Sequence, residues 1–114
     1  MSVKLTIRKV DEITVIDAVG RITLGEGSSS FRDTMRKLVK AGDKKIVLNL
    51  ADVSYVDSSG IGELVSAYTS VSNKSGRLKL LHLAKRIEDL LQITKLYTVF
   101  EVFDNEATAI RSFG

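Results

Sequence analysis

The chain contains no cysteine, no proline, no tryptophan and a single histidine in 114 residues. Lack of cysteine removes disulfides, thiol catalysis and thiolate metal sites together, and it fits a reducing compartment. With one histidine besides, no metal or other cofactor is expected. Neither proline nor a Gly/Ser run marks a linker, and Ser28-Ser29-Ser30 is too short to divide the chain, so residues 1–114 are expected to form one domain. No internal repeat is evident. The longest apolar runs are a few residues, far below the roughly 20 needed to cross a bilayer. The start Met1-Ser2-Val3-Lys4 lacks the apolar core of a signal peptide, so a soluble cytoplasmic protein with no membrane span is expected.

Charge of one sign is also scarce. The formal net charge is +3, and the basic residues are scattered over Arg8-Lys9, Arg36-Lys37, Lys40, Lys44-Lys45, Lys74, Arg77, Lys79 and Lys85-Arg86 among acids. No basic stripe is interleaved with aromatics, and several of the 3 tyrosines and 4 phenylalanines fall at core spacing. Direct nucleic-acid binding is therefore not expected.

What the chain does have is hydrophobic patterning, with 44% hydrophobic and 27% charged residues. Val3, Leu5 and Ile7 alternate with polar residues, Asp11-Glu12 offers a turn, and Ile13, Val15 and Val19 resume the period of two, which predicts an antiparallel hairpin. Arg21 to Gly27 loses periodicity, and Ser30 with Asp33 predicts a helix start, with Phe31, Met35, Leu38 and Val39 on one face and Ala41-Gly42 as the stop. Ile46 to Leu50 reads as a strand covered on both faces at the sheet's centre, and Ala51 to Val56 as a loop. Ile61, Leu64, Val65, Tyr68 and Val71 mark a helix from Ser58 to about Ser75-Gly76. A strand over Leu78–Leu83, a helix over Lys85–Ile93, a strand over Val99–Phe103 and a helix from about Asn105 to Ser112 complete the pattern. An α/β fold follows, a mixed sheet of about five strands whose later strands run parallel, covered by about four helices.

The junction Asp57-Ser58-Ser59-Gly60-Ile61-Gly62 is the candidate working site on physical grounds. A helix N-terminus offers unpaired N–H groups and the positive end of the dipole, and so tolerates an added phosphate. Ser58 has a purely structural role open to it as the helix N-cap. Gly60 and Gly62 lie in the first helical turns, where glycine costs about 1 kcal/mol relative to alanine, which implies that something approaches the backbone closely. Asp57 beside a phosphorylatable hydroxyl would sharpen the change of charge, and spacing alone does not choose between Ser58 and Ser59.

Enzymatic readings fare worse. Neither serine sits in G-x-S-x-G, the lone His82 falls on a strand, and no Walker loop is present. A receiver domain with Asp57 as phosphoacceptor would begin with a βα unit and an acidic pair, whereas this chain begins with a hairpin. No enzymatic activity is expected.

Taken together, Gly20-Arg21-Ile22-Thr23-Leu24, Ile46 to Val53, Tyr55 to Gly62 and the helix that follows resemble the bacterial anti-sigma factor antagonists of the STAS domain family, nearly end to end. The Asp57-Ser58-Ser59-Gly60 core is the specific part. The resemblance implies partner switching. The unphosphorylated protein would bind an anti-sigma factor that is also a serine kinase using ATP and Mg²⁺, releasing a sigma factor. The kinase would then modify Ser58, with Ser59 the less favoured site, and a metal-dependent serine/threonine phosphatase would reset it. Asp57, Ser58, Ser59, Gly60, Ile61, Gly62 and Thr23 are the implied partner-binding residues. At Thr23 many family members carry an acid. The alternative is a constitutive STAS interaction subunit of a lipid-transport or signalling scaffold complex with no phosphoswitch, in which Ser58 only caps its helix.

Overall fold

Val10 and Ile13 pair across Asp11-Glu12, where Asp11 takes a left-handed backbone (φ 56), and this turn joins β1 (Val3–Val10) to β2 (Ile13–Ile22) antiparallel. The computed structural model describes residues 3–114. The chain continues through α1 (Glu26–Ala41), β3 (Lys45–Val56), α2 (Ser58–Asn73), β4 (Arg77–Leu81), α3 (Lys85–Ile93), β5 (Val102–Phe103) and α4 (Glu106–Arg111). The sheet is five-stranded with the strands in chain order, and every pair after the first is parallel. This is the mixed α/β sheet expected from the pattern, with β3 at its centre.

The two faces of the sheet are covered unequally. On one, α1, α2 and α3 pack Phe31, Met35, Leu64, Val71, Ile87 and Leu91 onto Ile16, Ile22, Leu48, Leu50 and Leu80. On the other, α4 and the turn that follows it bring Ala109 and Phe113 against Val15, Val47 and Leu81. Burial of about 25 cal/mol per Å² makes the first cluster the main source of stability.

Four expectations are corrected. First, α1 begins at Glu26 and not at Ser30, because Gly25 (φ 98) turns the chain immediately after β2 and buries Ser28 within the first turn. Second, Ala51 to Val56 is strand and not loop. Here β2 takes five steps from Asp17 to Ile22 where β3 takes seven from Asn49 to Val56, with register shifts at Asp17/Val19 and Gly20/Arg21. These bulges break the period of two while keeping Val53 and Val56 buried. Third, β4 ends at Leu81 and β5 holds only Val102–Phe103, shorter than expected. Fourth, Val19 and Ile7 keep their strand positions but are exposed: Val19 shares the face of Ile13 and Val15 beyond the reach of the short α4, and Ile7, opposite Ile16 on the other face, lies on the edge strand.

A charged cluster ties α4 to the hairpin. The Arg8 guanidinium donates to Asp17 (Nε to Oδ2, 2.6 Å) and to both carboxylate oxygens of Glu106, while Asn49 Nδ2 donates to Asp17 Oδ1 at 2.8 Å. The hydrogen bonds from Arg8 are the main cause holding both the Asp17 and Glu106 carboxyls below their usual values. Groups depressed in this way stabilise the fold above their unfolded pKa of about 4, and that contribution disappears as pH falls through the folded value. Since all three side chains are about a third exposed, solvent screening holds the cluster to about 1 kcal/mol. Arg8→Met should lower urea stability by that order at pH 7, and the gap to the parent should close as pH drops below about 4. A gap that persists unchanged at acid pH would assign the loss to packing.

Candidate functional site

The ends of β2 and β3 lie side by side, with Ile22 opposite Val56, so the chain segments that leave them share one corner of the molecule. From β2 the chain runs through Thr23, Leu24 and Gly25 into α1, and from β3 through Asp57 into α2. Asp57 ties the two exits together. Its N–H donates to the Ile22 carbonyl at 3.3 Å, its Oδ2 accepts from the Leu24 N–H at 2.9 Å, and its Oδ1 accepts from the Gly60 N–H at 2.8 Å. These backbone donors, Leu24 first and then Gly60, hold the Asp57 carboxyl below its usual value. The N-cap of α2 is therefore Asp57, with Ser58 the first helical residue, which corrects the reading of Ser58 as a cap. With both oxygens occupied by backbone donors, Asp57 is a structural clasp, which also counts against its use as a phosphoacceptor.

Both helices start pressed against the last carbonyls of β2. A Cβ on Gly60 would lie 2.1 Å from the Ile22 carbonyl oxygen, and one on Gly27 would lie 2.6 Å from that of Arg21. What approaches the Gly60 backbone is thus the chain's own strand. At Gly62 a Cβ would meet nothing within 4 Å, so that position faces open space.

The two serines differ in environment. Ser59 is half-buried, and its Oγ shares a hydrogen bond of 3.1 Å with the Oγ of Ser28, itself 2% exposed. Ser58 is exposed, and among the described residues its hydroxyl makes no hydrogen bond. One turn further along, Arg32 donates to Glu63 Oε2 from Nη2 at 2.7 Å and from Nε at 3.0 Å, linking α1 to α2 below the hydroxyls.

The structure brings all the sequence-predicted residues to this corner, in different postures. Ser58 and Gly62 face outward, Thr23 and Ser59 are half-buried, Asp57 is clasped, and Gly60 and Ile61 are turned into the protein. Sequence reasoning missed Leu24, which is 80% exposed beside Asp57, and Ser28, the partner of Ser59. An apolar residue between turn formers in an aperiodic stretch was the available signal for Leu24; nothing local announced Ser28. His82 lies elsewhere, lining a crevice with Tyr97 and Glu88, and is not a hydrogen-bond partner of either serine. Among the described residues, no group of three side chains is arranged to hold a metal ion, and no helix is long and apolar enough to cross a membrane.

Residues 4–109 match the model of the STAS domain, and the chain belongs to that family. It is 28% identical to the anti-sigma-B factor antagonist of Bacillus subtilis over 90% of its own length and 92% of that protein. It is also 29% identical to the anti-sigma F factor antagonist of Paenibacillus polymyxa, a match spanning about half of each, at 57% of this chain and 56% of that one. A crystal structure of an anti-sigma factor antagonist from Mycobacterium paratuberculosis superposes with a TM-score of 0.86 over 97% of this chain and 93% of that one, at 16% identity. The last comparison carries the fold and the first two carry the kinship.

The two helical glycines should respond in opposite ways. Gly60→Ala should cost about 3 kcal/mol, because the Ile22 carbonyl is backbone and cannot yield. Gly62→Ala should stabilise by about 0.5–1 kcal/mol through helix propensity alone. Thermal and urea denaturation read both, and equal effects of the two changes would refute the assignment of Gly60 to internal packing.

Proposed function

We propose that this protein is an anti-sigma factor antagonist that works by partner switching, with Ser58 as the phosphorylated residue. In its unmodified form it binds an anti-sigma factor that is also a serine kinase, and a sigma factor is released. The kinase then transfers the γ-phosphoryl group of ATP to the Ser58 Oγ, the hydroxyl proton leaves to solvent or a base of the kinase, and ADP departs. A serine/threonine phosphatase hydrolyses the phosphoester and restores the binding form. The protein is a binder and a substrate with no catalysis of its own, and the reading puts it in the cytoplasm with its partners.

The observation that carries this reading is the contrast between the two hydroxyls. Ser58 is exposed and free at the start of α2, whereas Ser59 is half-buried against Ser28. A kinase must draw the acceptor hydroxyl into its own site, and only an unengaged side chain on the rim can go without breaking a bond in the protein. The helix N-terminus then softens the charge of the product, roughly −1.5 to −2, in the free protein. A partner seated over Leu24, Ser58 and Gly62 would instead meet that charge, next to an already ionised Asp57, on a surface it had covered. The constitutive-subunit alternative gave Ser58 the work of capping, and Asp57 performs that work here.

Phosphosite mapping by mass spectrometry on protein from its own cells, with phosphatases inhibited and across growth and stress conditions, tests the proposal. Phosphate is expected on Ser58 with condition-dependent occupancy. Ser58→Ala should abolish it with a stability change under about 0.5 kcal/mol, since no cap is lost. Ser59→Ala should leave modification in place, and Ser58→Asp should weaken kinase binding. Full modification of the Ser58→Ala protein would refute the assignment to Ser58, and an unmodified chain under every condition would refute the switch.

A further inference from the structure

Helices α1 and α2 lie side by side on the sheet and meet in steps that advance together. Ser28 meets Ser59, and Arg32 meets Glu63 one turn later. Beyond that pair the helices part into a groove of about 600 Å³, with Met35 and Ala67 on its floor and Arg36, Lys40, Ser70 and Lys74 on its walls. Arg36 and Lys40 continue the Arg32 ridge at a spacing of four, so α1 presents a line of cations along one wall. The only acid on the walls, Glu63, is taken by Arg32, and none of Arg36, Lys40 and Lys74 forms an ion pair among the described residues.

We propose that this groove is a docking surface for an acidic segment of a partner protein. The segment's carboxylates would pair with Arg36, Lys40 and Lys74, and its small apolar side chains would rest on the floor. This stands apart from the Ser58 reading, since neither observation uses the other. Charge complementarity selects the occupant. An acyl chain would bury the Ser66 and Ser70 hydroxyls of the wall without partners. A nucleic acid would find no exposed aromatic to stack on, the only lining ring being the fully buried Phe31. A second copy of this chain carries a net charge of +3 itself and offers the groove no net negative charge.

A photocrosslinking amino acid in place of the exposed Ser70, in the full-length protein expressed in its own cells, tests the proposal, with the same probe in place of Thr108 on α4 as the background. Adducts above background are expected on protein segments of net negative charge. Combining Arg36→Glu with Lys40→Glu should cut their yield by about tenfold, while Arg36→Lys with Lys40→Arg should keep most of it. Both positions are exposed, and the conservative pair controls for folding. Adducts on lipid, on nucleic acid, on a second copy or on neutral or basic segments would overturn the proposal. So would a yield that ignores the charge reversal, or one no greater than that from Thr108.

Discussion

The close contact between the end of β2 and the first turns of two helices fixes the rest of the structure. Gly27 rests on the Arg21 carbonyl and Gly60 on that of Ile22, and no other residue type fits either distance. Because both contacts are to backbone, they cannot be relieved by a change of rotamer. They set where α1 and α2 leave the sheet, and so set the step at which Ser28 meets Ser59 and Arg32 meets Glu63. Asp57 completes the arrangement with one carboxylate shared between a loop N–H and a helix N–H. Its depressed pKa follows from that geometry: taking the charge away would leave two backbone donors with a weaker acceptor.

Most of the fold was legible because the core follows simple periods. The hairpin, the helix over Lys85–Ile93 and the stop at Gly42 all follow from local residues whose preferences agree with the tertiary structure. The failures share a different cause. Ala51 to Val56 looked like a loop because two bulges put Val53 and Val56 on the same face at a spacing of three, which neither strand nor helix periodicity describes. Likewise the start of α1 is set by Gly25 and by Gly27 against β2, a contact between segments that no window of sequence contains.

The candidate site was legible as a location and less so as an arrangement. Asp57-Ser58-Ser59-Gly60 announced a helix start with hydroxyls and glycines, but assigned the parts differently from the structure. Capping falls to Asp57, the close approach to Gly60 is internal, and only Gly62 of the two glycines is open to an outside partner. Ser28 explains why. Whether a hydroxyl is free depends on a residue 31 positions away, and that information exists only after the helices are packed.

These reassignments bear on how a modification could act. Had Ser58 capped the helix, phosphorylating it would have removed the cap and loosened α2, coupling the signal to local unfolding. With Asp57 holding both the cap and the Leu24 loop, the Ser58 hydroxyl carries no structural duty, so a phosphate there changes the surface and leaves the scaffold in place. The bulges in β3 contribute to the same end, since they carry the strand to Val56 in register with Ile22 and deliver Ser58 at the rim of the sheet. A charge of roughly −1.5 to −2 added to a rigid surface acts on whatever docks there by desolvation and repulsion. Such an arrangement would separate the stability of the domain from the state of a switch at Ser58, because the groups that hold the corner together and the group that would be modified are adjacent in sequence and independent in their bonds.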